Sequence, residues 1–248
     1  KPDILINLAA QAGVRYSLEN PREYIKTNLV GHANILESCR RFGVNNLVYA
    51  SSSSVYGGNM KVPFAENDNV NTPISLYAAT KRSDELLSYT YSHLYKINTI
   101  GLRFFTVYGP WGRPDMATWI FTKNILSNKP IKVFNHGKMR RDFTYIDDII
   151  AGTTSVLDYL INNKINSVAK IYNIGNNNPV GLIEFINLIE ENLGKKAKMS
   201  MQPLQLGDVV ETYADITSIQ AEFDFVPSTP LTKGIPLFIK WYREYHNL

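Results

Sequence analysis

Tyr77 and Lys81 stand four residues apart, downstream of a run of four serines, Ser51-Ser52-Ser53-Ser54. On a helix that spacing places both side chains on one face. A tyrosine is a poor base at neutral pH, because its unperturbed pKa is about 10. Bringing it to about 7 requires roughly 4 kcal/mol of preference for the phenolate. A lysine ammonium a few ångströms away in a partly dry site supplies much of that. A serine hydroxyl nearby could steady the substrate oxygen whose proton is removed. The chemistry indicated is proton abstraction from a hydroxyl. With 15 Tyr and 26 Lys+Arg in 248 residues, about one or two Tyr-x-x-x-basic pairs arise by chance. A serine run is equally a polar turn at a strand end. The pair therefore depends on its surroundings.

Those surroundings alternate apolar runs with helical patterns. Residues 4–8 form an apolar strand, followed by Ala9-Ala10-Gln11-Ala12-Gly13-Val14-Arg15, small residues that let another group approach the backbone. Asn20-Pro21 opens a helix predicted to reach about Arg41, with Ile25, Leu29, Ala33, Leu36 and Cys39 on its apolar face and Gly43 as its stop. A strand over 47–51 ends in the serine run. A second long helix from about Ser75 carries Tyr77, Lys81, Leu86, Leu87 and Tyr91, and 98–104 is a further strand. This order predicts an α/β fold with a doubly wound parallel sheet, whose ligands bind beyond the carboxyl ends of the strands. From Thr106 onward turn formers dominate. Expected there are a helix over 115–127, a hairpin pairing 131–134 with 141–145, and a helix capped by Asp147 to about Ile161. A strand over 171–175, a helix over 181–193 ended by Gly194, a loop around 205–208 and a last helix from about Thr232 follow.

Composition narrows the function. Hydrophobic residues make up 44% and charged residues 19%, as in folded soluble proteins. The net charge of +4 comes without a basic block longer than Arg40-Arg41 or Arg140-Arg141. That suits an anionic small molecule better than nucleic acid. Trp111, Trp119 and the tyrosines over 89–95 read as packing groups, since no basic stripe interleaves them. A single cysteine, Cys39, excludes an internal disulfide, and His32, His93, His136 and His246 show no metal-ligand spacing. No metal is expected. No apolar run approaches the ~20 residues that span a membrane, and no signal peptide is seen, so a cytoplasmic location is expected.

Six stretches then coincide in order: Leu8-Ala9-Ala10, Asn28, Ser51-Ser52-x-x-Val55-Tyr56-Gly57, Tyr77-x-x-x-Lys81, 102–110 reading Leu-Arg-Phe-Phe-Thr-Val-Tyr-Gly-Pro, and Arg141-Asp142-Phe143-x-Tyr145-Ile146-Asp147-Asp148. Together they resemble the extended short-chain dehydrogenase/reductase family, specifically its NAD-dependent sugar-nucleotide epimerases and dehydratases. The stretches 9–15 and 109–117 look most like UDP-glucuronate 4-epimerases. The resemblance implies NAD as cofactor and a UDP-sugar as substrate. It makes Ser52, Tyr77 and Lys81 catalytic. Ala9, Asn28, Ser51, Thr106, Tyr77 and Lys81 would hold the cofactor. Arg15, Ser53, Ser54, Thr106, Arg113, Arg141, Gln205 and Asp208 would hold the substrate. Arg141 is implied at the diphosphate, whose oxygens suit a planar fork, and Asp208 near the uridine ribose. Gln205 occupies a place where glucose-type epimerases often have arginine. Arg113, with Arg15, is the candidate for a uronate carboxylate. The dehydratases carry Asp-Glu after the catalytic hydroxyl residue, and related decarboxylases a Glu two residues after it. Ser53 and Ser54 stand there instead, which favours simple epimerisation. A homodimer through helices near 21–41 and 76–95 is a further implication, as is a role in polysaccharide biosynthesis.

One family feature is missing. No Gly-x-x-Gly-x-x-Gly or Gly-x-Gly-x-x-Gly follows any strand. The fold expected is thus a Rossmann-like sheet, N-terminally truncated, with a smaller C-terminal α/β substrate lobe. Residues 1–108, with 144–175 returning, would be the remainder of the NAD-binding domain, and 109–143 with 176–248 the substrate lobe. Without the glycine loop, weak cofactor binding is expected. Three alternatives stay open: an epimerase of UDP-glucose or UDP-N-acetylhexosamine, a non-catalytic UDP-sugar-binding fragment, and a reductase making a deoxysugar.

Overall fold

Consecutive apolar residues such as Leu47-Val48-Tyr49 suit a strand covered on both faces, and all three are buried. The computed structural model describes residues 2–163, 167–205 and 207–248. The first part of the chain forms β1 (Leu5–Asn7), α1 (Val14–Glu19), α2 (Pro21–Tyr24), a π-helical segment (Ile25–Val30), α3 (Gly31–Phe42), β2 (Asn46–Ser52), a 3-10 turn (Ser53–Tyr56), α4 (Leu76–Tyr95) and β3 (Asn98–Phe104). Then come β4 (Thr106–Tyr108), α5 (Ala117–Leu126), β5 (Ile131–Val133), β6 (Arg140–Tyr145), α6 (Ile146–Asn162) and β7 (Ala169–Ile174). The chain ends with β8 (Pro179–Gly181), α7 (Leu182–Leu193), β9 (Met199–Met201), α8 (Thr217–Phe223) and α9 (Leu231–His246).

The main sheet is parallel, in the order β1-β2-β3-β7. Its register sets Ser51 beside Arg103 and Arg103 beside Asn173. Two smaller sheets, β4-β6-β8 and β5-β9, belong to the rest of the chain. Apolar side chains gather into one core around Val48, Ile100, Leu102 and Ile174, another around Phe143, Phe185, Ile235 and Phe238, and a third of Leu36, Cys39, Leu47 and Tyr49. Ala214, Ile216, Ile219, Phe223 and Phe225 join the first core, although the division by sequence assigned them to the smaller lobe. The segment after Thr212 thus packs back against the main sheet.

Three local expectations are corrected. The helix expected over 21–41 contains the π-helical segment, and this extra backbone residue per turn re-aims its inner face. Tyr24, Asn28, His32, Leu36 and Cys39 are buried, whereas Ile25 lies exposed. The expected 131–145 hairpin does not form. Asn135 and His136 adopt left-handed backbone inside a 3-10 turn (Phe134–Gly137), so β5 pairs with β9 while β6 pairs with β4 and β8. Asp147 does not cap α6 either. It sits in the first turn of that helix, and Asp148 accepts hydrogen bonds from the Ser228 and Thr229 backbone N–H groups.

His32 ties three of these elements together. Its ring lies 3.1 Å from the Asn7 amide of β1 and 2.8 Å from the Ser88 hydroxyl of α4, a pairing that suits the neutral imidazole. Burial, aided by the charge of Lys81, pulls its pKa down to about 4. An unfolded histidine titrates at about 6.5. The stability that His32 contributes is therefore present above that pH and lost as the pH falls toward 4. Urea denaturation between pH 8 and pH 4 should show a loss of up to about 3 kcal/mol from this group, and His32→Gln should flatten the dependence.

Candidate active site

A charged residue inside an apolar strand must find a partner, and Arg103 of β3 finds one on α4. The guanidinium is 2% exposed and makes two parallel bonds to Glu85, Nε–Oε1 at 2.8 Å and Nη2–Oε2 at 2.9 Å. Glu85 also accepts from the Ser51 hydroxyl at 2.6 Å and from Arg82 at 2.9 Å. Arg103 donates to the Tyr56 hydroxyl at 2.9 Å, which in turn donates to Asn173 Oδ1 at 2.6 Å. Burial pushes the Tyr56 phenol up to about 12. One network thus fixes the ends of β2, β3 and β7 against α4. That fixes the serine run against the start of the helix carrying Tyr77 and Lys81.

Ser75 caps α4, its hydroxyl accepting from the Ala78 N–H at 3.1 Å, so Tyr77 sits in the first turn. Ser52 lies close enough to the Tyr77 phenol to favour the phenolate. Arg113 acts in the same direction, but burial outweighs both and holds the phenol above its ordinary range. Lys81, expected to draw Tyr77 down, is itself engaged. Lys81 Nζ donates to the Ala50 carbonyl at 2.8 Å and lies 3.3 Å from Asp84 Oδ2. An opposite charge that close cancels most of the lysine's field. Arg113 is a cation that favours the Tyr77 phenolate.

A cavity of about 140 Å³ lies beside this set, lined among others by Ser53, Ser54, Thr106, Arg141 and Asp208. Ser53 and Ser54 belong to the 3-10 turn after β2, and Thr106 opens β4. Arg141 spends three donors on the carbonyls of Arg140, Val209 and Val210. Its charge keeps Asp208 as a nearby opposite partner. Asp208 itself is paired with Arg15 at 3.1 Å, and the Arg15 guanidinium stacks over Phe134, 4.4 Å from the ring centre. Gln205 Oε1 is buried with no hydrogen-bond partner among the described residues. Leu206, within the 205–208 loop, lies outside the described residues. Arg113 grips its own neighbour, with two bonds to Asp115 at 2.9 and 2.8 Å.

Two expected cofactor contacts are otherwise engaged. Both amide protons of Asn28 are committed, to Gln11 O at 3.1 Å and Thr80 Oγ1 at 2.9 Å, while its oxygen accepts from Gln11 N at 2.8 Å. Asn28 is thus a clamp holding the loop after β1 to α4. The Ser51 hydroxyl is likewise turned to Glu85, away from the site. Ala9 lies exposed at the end of β1. Among the described residues no group of three His, Cys, Asp or Glu could hold a metal ion. No helix among them is long and apolar enough to cross a membrane.

Residues 1–175 match the NAD dependent epimerase/dehydratase family. The chain belongs to that family. It is 53% identical over 259 residues to Protein CapI of Staphylococcus aureus, covering 100% of this chain and 78% of that protein. It is 47% identical over 255 residues to UDP-glucuronate 4-epimerase 2 of Arabidopsis thaliana, covering 98% and 59% respectively. Its fold superposes with a TM-score of 0.91 on the UDP-glucuronic acid 4-epimerase of Bacillus cereus, solved with UDP-glucuronic acid and NAD, at 32% identity over 98% of this chain and 76% of that one. Membership of this family makes the site NAD-dependent.

Reading the sequence missed the Arg103–Glu85 pair, Asp84 and Asp115. The signal for the first was present: an arginine amid Ile100, Gly101 and Leu102 demands a buried carboxylate. Because both partners are almost fully buried, removing one strands a charge. Glu85→Ala should cost about 3–5 kcal/mol in urea denaturation. Combining it with Arg103→Met should recover much of that loss.

Proposed function

We propose that this chain epimerises a UDP-sugar at C4, and that its substrate is UDP-glucuronate, converted to UDP-galacturonate. The observation that carries the reading is the dual role of the serine run. Ser52 supports the Tyr77 phenolate, while Ser53 and Ser54 line a cavity that Arg141 and Asp208 share. A sugar hydroxyl at Tyr77 and an anionic diphosphate at Arg141 can therefore be held by one ligand. The similarity to UDP-glucuronate 4-epimerases supports the same substrate.

The residues present fit the nicotinamide end of NAD. Lys81 Nζ has three protons and makes two contacts, to Ala50 and Asp84, so one donor is free for a ribose hydroxyl. Tyr77, Lys81 and Ser52 would flank that end. When bound, NAD supplies the two-electron oxidation at the sugar C4 and the matching reduction. Tyr77 accepts the proton of the 4-hydroxyl as the ketone forms and returns it to the oxygen when the ketone is reduced. Ser52 holds that oxygen through both steps. Inversion requires the flat ketone to present its other face, so the sugar must turn while the diphosphate stays anchored at Arg141. The absence of carboxylates at Ser53 and Ser54 removes the acid and base that water elimination would use. Arg113 is assigned to the uronate carboxylate, in exchange for its bond to Asp115. A homodimer is proposed through α4 and the 21–42 helices, whose Ile25, Val30, Leu86 and Tyr89 are exposed.

Product analysis with UDP-glucuronate and NAD tests this. Tyr77→Phe should lower kcat by about 10²–10⁴-fold, and retention of full turnover would remove Tyr77 as the base. Arg113→Ala should lower turnover of the uronate far more than that of UDP-glucose. Equal losses on both would reassign Arg113.

A further inference from the structure

The carboxylate of Asp84 has no part in the chemistry just described, yet it is 1% exposed. One oxygen, Oδ2, lies 3.3 Å from Lys81 Nζ. The other, Oδ1, is buried with no hydrogen-bond partner among the described residues. A buried carboxylate left half satisfied is costly, and a neutral polar residue would cap Lys81 more cheaply. We propose that Asp84 is a positioning residue of this site: it holds Lys81 against the end of β2 and, by cancelling its charge, limits how much of that charge reaches Tyr77. The inference rests on Tyr77 being the proton acceptor.

The geometry explains how one carboxylate does both. Lys81 Nζ is pinned between a fixed point of the sheet, the Ala50 carbonyl at 2.8 Å, and a fixed point of its own helix. Its position is set before any ligand arrives. The two opposite charges form a short dipole, and the field of a dipole dies away faster than that of an ion. At Tyr77 the negative charge of Asp84 disfavours the phenolate. The other groups facing Asp84 leave this balance in place. Glu85, on the same helix, is committed to Arg103. His32 from α3 is held neutral by burial, and Tyr49 from β2 is held protonated by burial. Burial also pushes the Asp84 carboxyl up to about 7 against the pull of Lys81. A ligand that takes the free donor of Lys81 and loosens its hold on Asp84 would release the lysine's charge toward Tyr77.

The test is a spectroscopic titration of the tyrosinate band, taken as the difference between the protein and its Tyr77→Phe variant. The same difference is then measured in an Asp84→Asn background. Removing the negative charge should lower the Tyr77 midpoint by on the order of one pH unit, which is about ten times more phenolate at a fixed pH below it. The rising limb of kcat/KM against pH should move down by the same amount. Asp84→Ser provides a second neutral variant if the amide disturbs the helix. A midpoint that stays put or rises would overturn the proposal, and so would failure of both variants to fold, which would make Asp84 purely structural. Loss of the proposed base would show separately, as undiminished turnover by Tyr77→Phe.

Discussion

The site depends on one buried ion pair. Arg103 and Glu85 join the middle strand of the main sheet to the helix that bears Tyr77 and Lys81, by two parallel bonds. Apolar packing alone would let α4 slide along the sheet, because hydrophobic contact is not directional. A planar fork gripping a carboxylate fixes distance and angle together. Ser51 and Tyr56 are bonded into the same pair, so the strand end before Ser52 and the turn after it are fixed as well. The pair's contribution is geometric: buried ion pairs are often no more stabilising than well-packed apolar ones, but an apolar pair carries no directional bonds to Ser51 and Tyr56.

That frame delivers Tyr77 into an electrostatic setting that is balanced, not primed. Burial disfavours its phenolate, Ser52 and Arg113 favour it, and Asp84 opposes it. Arg113 is meanwhile occupied by Asp115, and Lys81 by Asp84. Each cation beside the tyrosine thus carries a carboxylate of its own. On the proposed mechanism, activation of the base would be a matter of exchange, in which ligand groups displace internal carboxylates.

The strand–helix alternation was legible because the central strands β2 and β3 are buried along most of their length, β2 reading as an apolar run at Leu47-Val48-Tyr49. The Tyr77–Lys81 spacing was legible because helix geometry converts sequence distance into direction. The limits were set by groups whose partners are remote in sequence. Asn28 reads as a surface amide until the π-helical segment turns it inward to Gln11 and Thr80. Ser51 and Ser52 are adjacent and identical in type, yet strand alternation sends one to Glu85 and leaves the other for Tyr77. The partners of β5 and β6 were illegible for a similar reason, since left-handed backbone at Asn135 and His136 redirects the chain where residue types alone suggest a hairpin.

The anion-binding side follows the same logic with a different outcome. Arg141 is docked on three backbone carbonyls, which orient the guanidinium without neutralising it, because a carbonyl carries only a partial charge. Burial makes that charge expensive, and Asp208, which partly compensates it, is shared with Arg15. A diphosphate would settle this imbalance, since it brings full negative charge to a fork already held in position. Preorganisation by carbonyls at Arg141 and by carboxylates at Lys81 and Arg113 thus divides the labour. On the proposed function, the first would give standing affinity for the nucleotide. The second would keep the reactive end quiet until the sugar is in place.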